Sequence, residues 1–288
     1  MAGWRGTSAA VAVLSFDVDA ESPVLAAGRR FAGHAMAMTH QAFGPLHGVP
    51  RLLALLADYE LRATFFVPGL TADRYPAMVE QVLAAGHEVA HHSYSHHNAT
   101  VLGPDGERRD FDRALEALAR LGVEPRGHRA AMWEATWLTP ALVAEHGLEY
   151  DSSLMDADVP YVLDTPQGTI AELPPHWSLD DWEQYAYLPE PDLGSVIQSP
   201  RTVAEMWIHE VDAMRRHGCL FLLTCHPFLS GRAGRTEALR LVIEAALDRG
   251  DVEFTTCLEV ARRVREDPAA LRRELTPVEV SAEIYPDD

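Results

Sequence analysis

Lysine is missing altogether: all 24 basic residues are arginine, set against 43 Asp and Glu for a net charge of −19. A surface this acidic repels polyanions, which excludes nucleic acid and anionic membranes as expected partners. Cysteine is scarce. Cys219, Cys225 and Cys257 cannot all pair, and none stands in a Cys-x-x-Cys spacing. A disulfide framework is therefore excluded, and reduced thiols in a cytosolic compartment are expected. Long apolar runs are lacking as well, none reaching the roughly 18–20 residues of a membrane span. The apolar stretch Ala9–Phe16 runs straight into acidic residues, unlike a secretory leader. It reads as a first strand, and a cytoplasmic protein is expected. No glycine-rich loop follows it, which argues against a nucleotide-binding fold.

What is present is an ordinary globular composition over 288 residues, 47% of them hydrophobic, enough for one large α/β domain or two modest ones. Apolar runs read as strands at Val11–Phe16, Arg62–Val67, His87–Ala90, Pro125–Ala130, Leu148–Ser152, Cys219–Thr224 and Val252–Thr256. Between them, helices are expected from Pro50, over Ala72–Ala85, near Arg109–Leu121, over Thr139–His146, from Ser199-Pro200 to His217, and over Ala233–Arg249. Residues 20–48 read as an irregular segment. Residues 154–197 read as a loop insertion holding one short strand, Thr169–Leu173. Such alternation predicts a parallel sheet with helical crossovers, as a closed or nearly closed (β/α) barrel of about seven strands. An open doubly wound sheet is the runner-up. One domain is expected over residues 1–288, with its core at 10–265 and an acidic tail at 267–288.

Titratable residues gather where such a barrel keeps its chemistry, at the carboxyl ends of strands. Asp17 and Asp19 close the first strand, His92 and His96 follow the third, Arg129 ends the fourth, and His226 ends the strand at 219–224. His92 and His96 are four apart, so a turn of helix would set both on one side. Two imidazoles and a carboxylate make a three-ligand site for a divalent cation. Water on Zn²⁺ can have its pKa drop from ~15.7 to about 7. A second carboxylate could take its proton, and a histidine across the site could protonate a leaving amine. The inventory fits metal-assisted hydrolysis of a C–N bond.

Phe16-Asp17-Val18-Asp19, His92-Ser93-Tyr94-Ser95-His96, Arg129 and Leu222-x-x-x-His226, in that order, resemble the motifs of the polysaccharide deacetylase (NodB-homology, carbohydrate esterase family 4) superfamily. The resemblance spans residues 10–265 and implies a distorted (β/α) barrel. It implies Asp17 as catalytic base, Arg129 as the residue orienting that base, and His226 as general acid. It implies Asp19, His92 and His96 as ligands of a divalent metal, Zn²⁺ being expected. By the same analogy Asp151 could stand behind His226. The pattern departs from the extracellular sugar deacetylases, which carry adjacent aspartates followed by Gly. Here Asp17-Val-Asp19 is followed by Ala20-Glu21, and the arginine motif reads Arg129-Ala-Ala-Met-Trp133. With Leu173-Pro-Pro-His-Trp-Ser-Leu-Asp-Asp181, this form is similar to the intracellular branch of peptidoglycan-deacetylase-like proteins, cyclic imide hydrolases and allantoinases. That branch implies a homo-oligomer, dimer or tetramer, and a loop-covered pocket.

A covered pocket suits a small molecule better than a polymer. Trp133, Trp177, Glu21 and Asp181 are the expected substrate contacts, with Trp137, Trp182, His176 and Asp180 as further pocket candidates. Three functions compete: an N-deacetylase of a small N-acyl substrate, a hydrolase opening a cyclic imide or allantoin-type ring, and an inactive binding or scaffold relative. The full set of polar residues argues against the third.

Overall fold

Residues 3–281 and 283–284 are described in the computed structural model. Twelve strands occur among them: β1 (Ala10–Asp17), β2 (Thr64–Val67), β3 (Glu88–His91), β4 (Gly127–His128), β5 (Tyr150–Asp151), β6 (Tyr161–Thr165), β7 (Gly168–Glu172), β8 (Tyr187–Pro189), β9 (Asp192–Ser195), β10 (Leu220–Cys225), β11 (Val252–Thr255) and β12 (Arg272–Glu274). One sheet runs β10-β1-β2-β3-β4-β5-β7-β6-β12. Every pairing in it is parallel except β6 with β7. β1 lies next to the β10 end and is buried throughout. Along one edge it meets β10. Along the other, its first half meets β11 and its last residues meet β2.

Alternation along β1 sorts the molecule into two layers. Ala12, Leu14 and Phe16 join the large outer cluster under the helices, with Phe65, Trp207 and Cys225. Val11 and Val13 face the interior with Phe66, Tyr150 and Leu222. Asp17 and Ser15 share that interior face. Cys225 packs outward, so the thiol next to His226 is turned away from the site.

The α/β reading, the parallel sheet and the nearly closed form of the barrel hold; hydrogen bonds do not close the sheet, since β10 and β12 end it without bonding each other. The gap beside β10 is spanned by irregular chain, through Leu220 N–H to Asp158 O at 3.1 Å and a single bridge between Asp180 and Thr224. The 154–197 segment is also more structured than expected. Its aromatic and β-branched run Tyr161–Thr165 pairs back on Gly168–Glu172 as a hairpin, and Gly168 at φ 148° makes the turn possible. Residues 20–48 hold helical turns, the longest being Ala35–Phe43. The helix expected at 72–85 is two, Gly69–Arg74 and Pro76–Ala84, because Pro76 cannot donate into a continuing helix. The helix expected near 109 begins earlier, at Pro104. The supposed tail contributes β12, laid parallel to β6; residues 282 and 285–288 of it lie outside the described residues. No described helix is long and apolar enough to cross a membrane.

Candidate metal centre and active site

Asp17 points inward from the end of β1. Its Oδ1 accepts from Arg129 Nη1 at 2.7 Å. Arg129 is fully buried; its two Nη atoms are paired, which offsets the cost of burying the charge, while Nε has no partner. Besides Asp17 it reaches Ser15 Oγ at 3.0 Å and Ser152 Oγ at 3.1 Å, and its guanidinium lies 4.0 Å over the Phe66 ring.

Asp19 lies just past the strand. Its main-chain carbonyl accepts from Ser22 Oγ and Thr71 Oγ1, each at 2.7 Å. Its side chain is buried, and neither carboxylate oxygen has a hydrogen-bond partner. Instead Oδ1 faces His92 Nε2 at 3.4 Å, and Oδ2 faces His96 Nε2 at 3.3 Å and His226 Nε2 at 3.6 Å. Burial alone would raise this carboxyl; His96, His92 and His226 outweigh it and hold the group well below the usual range.

The two histidines are not on a helix, contrary to the expectation from their spacing. Residues 92–98 form an irregular turn with Ser93 at φ 57° and His96 at φ 58°. Asp110 pins it by accepting from Tyr94 N at 2.8 Å and Ser95 N at 3.1 Å. His92 Nδ1 donates to Arg129 O at 2.7 Å, which leaves the Nε2 lone pair free toward Asp19. Bonds of about 2.0–2.1 Å around a tetrahedral ion would place neighbouring ligand atoms about 3.4 Å apart. The Asp19 Oδ1–His92 and Asp19 Oδ2–His96 separations are each of that size, and one ligand atom from each of the three residues lies within 4.8 Å of the others. With two unpartnered carboxylate oxygens at their centre, these three residues fit a divalent cation.

His226 stands opposite. Its Nδ1 donates to Asp181 Oδ1 at 2.7 Å, and its main-chain N–H reaches the same oxygen at 2.9 Å. Asp181 Oδ2 accepts from Ser230 N and Ser230 Oγ. Burial pushes the imidazole pKa down, but Asp180, Asp181 and Asp19 raise it to about 10, so it carries a proton. Burial and Asp181 lift Asp180 to about 7 against the opposing pull of His226.

These groups border one partly open cavity, walled by Met132, Trp133, Trp177 and Trp182 with Asp180 and Glu183. Met132 and Trp133 are both left-handed, at φ 58° and 54°, which costs side-chain-bearing residues about 1–3 kcal/mol each. Of the ten catalytic, metal and substrate residues expected from sequence, seven border the cavity, and Arg129 holds Asp17 from behind. Two expected substrate contacts do not. Glu21 is buried beneath the site, accepting from Arg74 Nη2 and Tyr75 OH, because the turn after Asp19 carries it to the far side. Asp181 is sequestered behind His226. Asp151, the other candidate for that place, instead faces Ser153 Oγ and Glu172. Trp137 is 56% exposed and outside the cavity, and His176 caps Ser178 N. His91 donates from Nε2 to Phe111 O and contacts His128, and His97 contacts Ser95 Oγ; neither takes a ligand position. Sequence reasoning missed Met132, Glu183, Ser15 and Ser152. The serines carried no signal, since their partner Arg129 is more than 20 residues away from either.

The sequence pattern of the polysaccharide deacetylase family matches residues 35–150. The chain is 29% identical over 241 residues to the peptidoglycan deacetylase of Helicobacter pylori, covering 74% of this chain and 82% of that protein. A solved structure from Mycobacterium smegmatis, ascribed to the polysaccharide deacetylases, is 44% identical with a TM-score of 0.92, over 95% of this chain and 96% of that one. Puue allantoinase shares the fold, with a TM-score of 0.77 at 22% identity over 90% of this chain and 91% of that one.

Proposed function

Because the chain belongs to the polysaccharide deacetylase family, hydrolases of carbon–nitrogen bonds other than peptide bonds, we propose that it is a divalent-metal-dependent N-deacetylase of a small N-acyl compound. The observation that carries this is the meeting of Asp17, Asp19, His92, His96 and His226 on one cavity. Asp19, His92 and His96 would hold the cation, Zn²⁺ by preference. Such a cation supplies Lewis acidity toward a carbonyl oxygen and toward water.

The chain's own residues do the rest. Asp17, fixed by Arg129, accepts the proton of the attacking water. His226, charged and held by Asp181, donates a proton to the departing nitrogen. Trp133 and Trp177 narrow the cavity, so a compound of limited size fits better than a polymer strand, which needs an open groove. A single domain, a cytoplasmic location and a dimer or tetramer belong to the same proposal.

The deciding experiment is a substrate panel with the purified protein. Acetate release from N-acetyl compounds supports the reading. Ring opening of succinimide, hydantoin-like or allantoin-like compounds without acetate release would replace it with the cyclic-amide alternative. Inertness toward both would leave the scaffold reading.

A further inference from the structure

The cavity walls carry chemistry that amide hydrolysis does not use. Trp133 and Trp177 meet as a corner, ring centroids 4.7 Å apart and planes inclined by 54°. Trp182 forms a third wall, edge-on to His226 at 5.0 Å. Trp177 is 48% exposed and Met132 45%, so this aromatic corner rises from the reacting groups to the mouth.

Apart from His226, the charged side chains on the same walls are acidic. Asp180 is buried in the lining, Glu183 is exposed at the rim, and no Arg borders the cavity in a chain that has no Lys. Asp17 is matched by Arg129, and Asp19 faces three imidazoles. His226 is the remaining cation, and it is already shared between Asp180 and Asp181. The mouth is therefore an indole-walled recess whose rim carries the exposed carboxylate of Glu183, apart from the cation that Asp19, His92 and His96 would hold at its floor.

Indole faces attract cations through the ring quadrupole, and most strongly where water is excluded. A neutral ring would use those faces only by stacking and would leave Glu183 without a partner. We propose that the substrate is an N-acylated amine bearing a second, cationic ammonium group, seated among Trp133, Trp177, Trp182 and Glu183 while its acyl group meets Asp17 and His226. The inference rests on the N-deacetylase reading. The reaction is plain hydrolysis: water adds to the acyl carbon, the C–N bond breaks, and a carboxylate and a doubly charged diamine leave.

Binding is tested apart from turnover. Tryptophan fluorescence of the purified protein is titrated with choline and with its uncharged isostere 3,3-dimethylbutanol. Choline should bind saturably and at least ten-fold more tightly, and Glu183→Gln, a change at an exposed position, should shrink that ratio. Equal affinities, absent choline binding, or a ratio untouched by Glu183→Gln would overturn the proposal. In turnover, kcat/KM for N-acetyl-1,4-diaminobutane should exceed that for N-pentylacetamide at least ten-fold; equal values would likewise overturn it. Choline binding with neither amide cleaved would count against the deacetylase reading and leave the cation recess standing.

Discussion

Asp181 Oδ1 receives two hydrogen bonds from one residue, His226, through its main-chain N–H and its imidazole Nδ1. The carboxylate thus faces the ring's charge and fixes its swing together, aiming Nε2 into the cavity. Asp181→Ala should lower kcat by about 10–100-fold, the range for losing a partner that orients a functional imidazole, with KM little changed. Asp181→Asn, which keeps an oxygen for His226, should retain more activity. Steady-state kinetics of both variants checks this, and a loss confined to KM would contradict it.

Metal content separates the ligand residues from the base. The purified protein should carry about one divalent ion per chain by elemental analysis, and His92→Ala should lose it. Asp17→Asn should keep the ion while kcat falls by about 10²–10⁴, as for loss of a general base. Unchanged metal in His92→Ala would defeat the ligand assignment.

Arg129→Met strands Asp17 in the interior without its guanidinium. Removing one partner of a buried ion pair costs about 3–5 kcal/mol. Urea unfolding should show a loss of that order, together with strongly reduced activity. A variant as stable as the parent would mean that Asp17 finds another donor.

The carboxyls of Asp151 and Glu172 face each other at the ends of β5 and β7. Burial and mutual repulsion push Glu172 well up, and burial lifts Asp151 to about 6. Both folded values exceed those of the unfolded chain, about 4. Between roughly pH 4 and 6 the folded state holds protons that the unfolded state has released, so this pair's contribution to stability falls as pH rises. Glu172→Gln removes the repulsion and should flatten the decline of Tm across that window. Parallel Tm–pH curves for the two proteins would reject the account.

Sequence periodicity reached the fold because β1 and β10 are long apolar runs whose inward and outward residues differ in kind. It also reached the centre, since Asp17 ends β1, Asp19, His92 and His226 come within two residues of a strand end, and His96 lies in the turn after β3. It misjudged the His92–His96 turn, where a spacing of four suggested a helix and the shape instead comes from Asp110 on a later helix. It misplaced Asp181, since nothing local says that a residue in an irregular segment will bond to one 45 positions on. The left-handed Met132 and Trp133 have no glycine to announce them, so the strain beside the cavity was invisible in composition.

The strand pairing of β12 with β6 gives the C-terminal residues a protective office. β6 is the outer member of a hairpin, and Arg272–Glu274 covers the row of amides and carbonyls that it would otherwise offer to solvent. A chain shortened to Glu266 would bare that row, inviting strands of neighbouring molecules to dock there and turning a trimmed enzyme into a seed for aggregates.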